Sequence, residues 1–90
     1  MTKHISIRIH GEVQGVFFRA TAKVQAQERG LLGFVRNEND GSVYIEAEGD
    51  ERDLLAFLEW CRSGPPLANI EKIDYTLTDN ISGFRTFEME

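Results

Sequence analysis

The chain has 90 residues, enough for one modest core and no second, and a fold of this size buries roughly 60 to 70% of the surface its unfolded chain exposes. Hydrophobic residues at 41%, charged residues at 28%, 8 Gly and 2 Pro exclude a fibrous or disordered chain and predict one folded soluble domain over residues 1–90. A net charge of −5 weighs against nucleic acid or anionic membrane as a partner, and the single cysteine, Cys61, excludes an intramolecular disulfide.

The opening Met1 to Ser6 lacks the apolar run of a secretory leader, and no apolar stretch approaches the roughly 20 residues that cross a bilayer, so the expectation is a cytoplasmic protein. Ile5, Ile7 and Ile9 alternate with Ser6, Arg8 and His10, which predicts a first strand with one buried face, ending near Gly11. Phe17, Ala20, Val24 and Leu31 then fall on one helical stripe, and Gly30 suits a left-handed cap. The spacing predicts a helix over 18–29.

Leu32 to Asn37 and Ser42 to Glu48 read as two strands joined by a tight turn at Asp40-Gly41. Asp50 can cap a second helix whose buried face is Leu54, Phe57, Leu58 and Cys61, and Gly64-Pro65-Pro66 stops it. Ile70, Ile73, Tyr75 and Leu77 suit another strand, and Phe84, Phe87 and Met89 a short terminal one. The order βαββαβ plus an extra strand predicts an α+β fold of the ferredoxin-like split βαβ kind: an antiparallel sheet with two helices on one face and a short extra terminal strand. That architecture alone fixes no activity.

The chemistry concentrates between the first strand and the first helix, in Gly11-Glu12-Val13-Gln14-Gly15-Val16-Phe17-Phe18-Arg19. Glycine lets successive N–H groups turn toward one point, and a helix start adds unpaired donors, so the loop can cradle an anion. Arg19 opposes the helix macrodipole where it stands, and a bound phosphate would relieve that conflict. The charge distribution agrees: residues 1–37 hold six basic side chains against two acidic ones. A plain turn with a surface arginine fits the same residues. The spacing is neither a Walker loop nor a dinucleotide fingerprint.

Gly11-x-Val13-Gln14-Gly15-Val16-x-Phe18-Arg19, followed by Gly33-x-Val35-Arg36-Asn37-x-x-Asp40-Gly41-x-Val43 and Glu48-Gly49, closely resembles the acylphosphatase family in order and spacing. The likeness runs on through Gly64-Pro65-Pro66-x-Ala68 and Phe84-x-x-Phe87. It implies a metal-independent hydrolase, without cofactor, that splits a carboxyl-phosphate mixed anhydride into carboxylate and inorganic phosphate. It further implies that Gln14, Gly15, Val16, Phe17 and Phe18 form the phosphate cradle with Arg19, that Arg19 grips the phosphoryl oxygens, and that Asn37 orients the attacking water. Phe34 stands where many members carry tryptophan, and the tail Glu88-Met89-Glu90 is more acidic than is common there.

By residue type alone Asn37 is a hairpin-flanking residue, and Val16, Phe17 and Phe18 are packing anchors. His4 and His10 read as solvated strand residues, Glu46 and Glu48 as exposed strand acids, and Cys61 as a small buried hydrophobe. No metal site is expected. The expected partners are a small acyl phosphate substrate and inorganic phosphate, as product and competitive inhibitor, with no nucleic acid, no membrane and a monomeric chain. The alternative reading is a non-catalytic module that binds phosphate or acyl phosphate and has lost turnover. RNA binding on the sheet, suggested by the element order, lacks the glycine-aromatic signature at Val43-Tyr44-Ile45.

Overall fold

The computed structural model describes all residues from Met1 to Glu90. In chain order the elements are β1 (Thr2–Glu12), α1 (Phe18–Glu28), β2 (Leu32–Asn37), β3 (Val43–Asp50), α2 (Glu51–Ser63), β4 (Asn69–Thr78) and β5 (Phe87–Met89). They form one five-stranded sheet in the order β4-β1-β3-β2-β5. Alternation places Ile5, Ile7 and Ile9 on the face the helices cover, where each is fully buried in a cluster with Val35, Ile45, Leu54, Phe57 and Phe87. Burying a side chain of that size is worth roughly 1.5 to 3 kcal/mol, so this row is what holds the helices to the sheet.

The sheet is mixed, which corrects the expectation of an antiparallel one. β1 runs antiparallel to β3 and β4, and β2 to β3, but β5 lies parallel to β2, with Gly33 opposite Phe87 and Val35 opposite Met89. The register explains it. β4 ends with Thr78 beside His4, and β5 begins with Phe87 beside Gly33, at the same end of the sheet. Residues 79–86 therefore cross sideways over that end, and the chain re-enters in the direction in which β2 runs.

The second helix forms as its sequence dictates. The Asp50 carboxylate accepts from the Arg52 N–H at 3.0 Å, Leu54, Phe57, Leu58 and Cys61 are all buried, and the Gly64 N–H closes the end on the Trp60 carbonyl at 2.9 Å. In the first helix the expected stripe is displaced. Phe17 is 74% exposed and Val24 50%, and the buried residues are Phe18, Ala22 and Ala26. The cause is backbone geometry: Phe17 sits at φ 64°, ψ 20°, outside the helix, so the helical face is counted from Phe18. Gly30 takes φ 69° just past the helix end, as the cap requires.

The face away from the helices also differs from expectation. His4 and Glu48 are buried rather than solvated, at 8% and 4% exposure. His4 Nδ1 lies 2.6 Å from Glu48 and its Nε2 3.2 Å from Glu46, while the Phe84 ring stacks on His4 at 5.9 Å. The crossing segment covers this end of the open face and excludes water from it. Phe34 fills the neighbouring space, edge-on to Phe84 at 5.8 Å and tilted against Tyr44 at 6.0 Å, so the phenylalanine is packed between two rings.

Candidate active site

At the opposite end of the sheet, β1 runs into the glycine loop and β2 ends on Asn37, and between them opens a cleft of about 270 Å³ lined by Val13, Gly15, Phe17, Phe18, Arg19, Ala20, Asn37 and Met89. Four of the sequence-selected residues, Gly15, Phe17, Phe18 and Arg19, thus share one cavity with Asn37. The loop turns by two left-handed residues, Gly15 at φ 75° and Phe17 at φ 64°. For Gly15 the conformation costs nothing; for Phe17 it costs roughly 1 to 2 kcal/mol and is the only positive φ outside glycine. Alternation of this kind aims neighbouring N–H groups at a common point.

The amides of residues 14–18 donate to no backbone carbonyl in the turns and loops, so their hydrogen-bonding capacity faces the cleft or solvent. The first turn of α1 contains no acidic residue. Helix start, free amides and guanidinium therefore add the same sign of potential in one place, with no carboxylate from that turn to cancel it.

Arg19 donates from Nη1 to the main-chain oxygen of Glu90 at 2.5 Å. That contact fixes the side chain from the β5 side and leaves its other donors unspent. Phe18 is not a wall of solvent-facing ring: it is 1% exposed and packs on Trp60 at a centroid distance of 5.3 Å, which seats the helix start on α2. Val16 is half-buried against the core. Of the three apolar loop residues read as packing anchors, Phe17 alone projects outward.

Gln14 takes a different place from the cleft-lining residues. Its side-chain amide donates to the carbonyls of Glu38 at 2.8 Å and Ser42 at 2.9 Å, tying the loop to the β2–β3 hairpin. The hairpin is itself braced. Arg8 Nη1 and Arg36 Nε each donate to the Glu38 carboxylate at 3.1 Å, and Asp40 accepts from the Ser42 N–H and hydroxyl. Partial burial pushes the Glu38 carboxyl up, but the two arginines outweigh it and hold the group below its ordinary value. Asn37, at the base of this braced turn, is exposed and lines the cleft.

The sequence reading missed Val13, Ala20 and Met89 as lining residues. Met89 had no local signal, because it reaches the cleft only through the parallel pairing of β5 with β2. Cys61 lies buried between helix and sheet, and burial pushes its thiol far up, which leaves it unreactive. His10 stays on the open face, 3.4 Å from Asp74.

The acylphosphatase family model matches residues 5–89. An acylphosphatase from Methylococcus capsulatus is 49% identical over 72 residues, covering 80% of this chain and 78% of that protein. Another, from Thiobacillus denitrificans, is 40% identical over 83 residues, with 91% and 93% covered. The crystal structure of acylphosphatase from Bacillus subtilis is similar with a TM-score of 0.94 at 36% identity, over 100% of this chain and 99% of that one. With the family model spanning residues 5–89 and these relatives matched over most of both chains, the chain belongs to the acylphosphatases.

Proposed function

We propose that this acylphosphatase holds the phosphoryl group of its substrate with Arg19 and the amides of residues 14–18, and directs water onto phosphorus with Asn37. The reaction is hydrolysis of an acyl phosphate to a carboxylate and inorganic phosphate. The observation that carries the residue roles is the convergence of Arg19, Asn37 and the left-handed loop on one cleft of about 270 Å³.

The chemistry needs little more. A carboxylate leaves readily, so no general acid is required, and the barrier falls chiefly through positioning and through donors aimed at the transferring phosphoryl oxygens. The loop amides and the guanidinium are such donors. An amide side chain at Asn37 can donate to one phosphoryl oxygen while its carbonyl accepts from the water, aligning attack opposite the leaving oxygen. Asn37 cannot take the proton, which passes from the water to the phosphoryl oxygens. The P–O bond to the acyl oxygen breaks with its electron pair on the carboxylate.

The same reading makes inorganic phosphate a competitive inhibitor, because it presents the same oxygens to the same donors. It assigns the work to residues 1–90 as one domain, since the loop after β1, α1, β2 and β5 all contribute to the cleft. A cytoplasmic monomer suits a chain whose lone cysteine is buried. The alternative of a binding module without turnover is disfavoured by the placement of Asn37, which a phosphate-binding loop alone does not need.

The test is release of carboxylate from an aryl acyl phosphate, compared with hydrolysis of the corresponding phosphate monoester, each with and without chelator. The expected result is chelator-insensitive turnover of the acyl phosphate with little of the monoester, whose leaving group demands a proton the cleft does not supply. Equal turnover of both, or loss of activity in chelator, contradicts the proposal.

A further inference from the structure

The buried pair His4 and Glu48 takes no part in the site described above, yet it touches the one segment that delivers a strand to that site. The Glu48 carboxylate accepts from three successive amides of the crossing segment, Ser82 at 2.5 Å, Gly83 at 3.0 Å and Phe84 at 3.4 Å, while His4 meets it at 2.6 Å. A carboxylate surrounded by amides in this way is a fixed clasp between β3 and residues 82–84. Charged acceptors make such bonds about twice as strong as neutral ones.

What the clasp restrains is β5. This strand has three residues, short for a strand held by pairing alone. Phe87, 2% exposed, anchors its first residue in the core. Its far end rests on the Glu90 N–H bond to the Val35 carbonyl at 2.8 Å, and its near end on the Gly33 N–H bond to the Thr86 carbonyl at 2.8 Å. From that far end Met89 lines the cleft and the Glu90 main-chain oxygen receives Arg19.

We infer that the His4–Glu48 clasp is a positioning device for the active site: by holding residues 82–84 it keeps β5 in register on β2, and through β5 it holds Arg19 in its phosphate-binding orientation. The clasp acts from the far end of the sheet. Glu48 lies opposite Leu32, and Asn37 follows five residues later along β2, on the order of 17 Å away. His4 and Glu48 are thus positioning residues rather than catalytic ones. The inference rests on the reading of Arg19 as the phosphoryl ligand.

Glu48→Gln is the direct test, because it keeps the shape, loses the charge and turns an amide donor toward amide donors. Phosphate inhibition, kcat/KM and amide exchange are measured on the full chain at a temperature where circular dichroism shows it folded. The expected result is a phosphate inhibition constant raised on the order of 3-fold to 10-fold, with protection lost at the Gly33 and Glu90 amides and retained in α2. His4→Phe, which keeps the stack on Phe84 and loses the bond to Glu48, gives the same pattern more weakly and serves where Glu48→Gln does not fold. A lowered Tm with unchanged phosphate inhibition and kcat/KM makes the clasp merely structural and overturns the inference. So does a raised inhibition constant with full protection at Gly33 and Glu90. Arg19→Ala is run alongside: if it leaves phosphate inhibition unchanged, the assignment of Arg19 itself falls, and the clasp falls with it for that separate reason.

Discussion

Gln14 donates its side-chain amide to the Glu38 carbonyl at 2.8 Å, and this bond, with its companion to Ser42, joins the glycine loop to the hairpin that carries Asn37. The two halves of the site come from different supersecondary units, β1–α1 and β2–β3. Their spacing is set by that side chain and by the sheet beneath.

Gln14→Ala removes both bonds, while each carbonyl keeps a backbone donor, the Gly41 N–H on Glu38 and the Glu38 N–H on Ser42. Each bond contributes about 0.5 to 1.5 kcal/mol net, so the fold should survive with a Tm lowered by several degrees. The catalytic loss should exceed what that softening explains. We expect kcat to fall about 10-fold, as loop and hairpin drift relative to one another. Unchanged kcat beside a lowered Tm would confine Gln14 to stability.

Phe17 combines a left-handed backbone with a ring that is 74% exposed, so its conformation is not stabilised by burial of its own side chain. Phe17→Gly should relieve roughly 1 kcal/mol of backbone strain, partly offset by the greater freedom of glycine in the unfolded chain. The expected outcome is a Tm equal to or above wild type together with a higher KM, because the ring also lines the cleft. A clear drop in Tm would show that the ring packs more than its exposure implies.

Glu48 makes the fold sensitive to acid. Burial pushes its carboxyl up, but the hydrogen bond from His4 and the three amides outweigh burial and hold it below the ordinary value of 4.5. A carboxyl lowered on folding contributes stability that is complete above its unfolded value and lost as pH falls through the folded one. Below about pH 4.5 the wild type should therefore lose stability faster than Glu48→Gln, and the gap between them should narrow with each step down. Thermal unfolding of both proteins across that range is the check, and parallel curves would contradict it.

How much of this was legible in the sequence depends on how local each cause is. α2 could be read whole, because its cap, its buried face and its stop are all encoded within a few residues of one another. α1 was placed correctly but its buried face was not. The left-handed Phe17 shifts the count, and nothing in the identity of a phenylalanine announces positive φ. The direction of β5 and the burial of His4 and Glu48 share one origin, the sideways crossing of residues 79–86, which joins parts of the chain with no pattern in common. Family likeness singles out Arg19 and Asn37, both of which line the cleft, whereas Met89 enters it by way of that same crossing.

The proposed mechanism divides the labour between Arg19, which binds, and Asn37, which aligns water. The two roles are separated by kcat, the phosphate inhibition constant and Tm of Arg19→Ala and Asn37→Ala, each set taken from one preparation. Arg19→Ala should lose about 100-fold to 1,000-fold in rate and bind phosphate poorly, with little recovered in Arg19→Lys, whose ammonium lacks the planar grip. Asn37→Ala should lose kcat on a similar scale while its phosphate inhibition constant and Tm stay close to wild type. Near-normal kcat in Asn37→Ala, or a loss of phosphate binding equal to that of Arg19→Ala, would contradict the division.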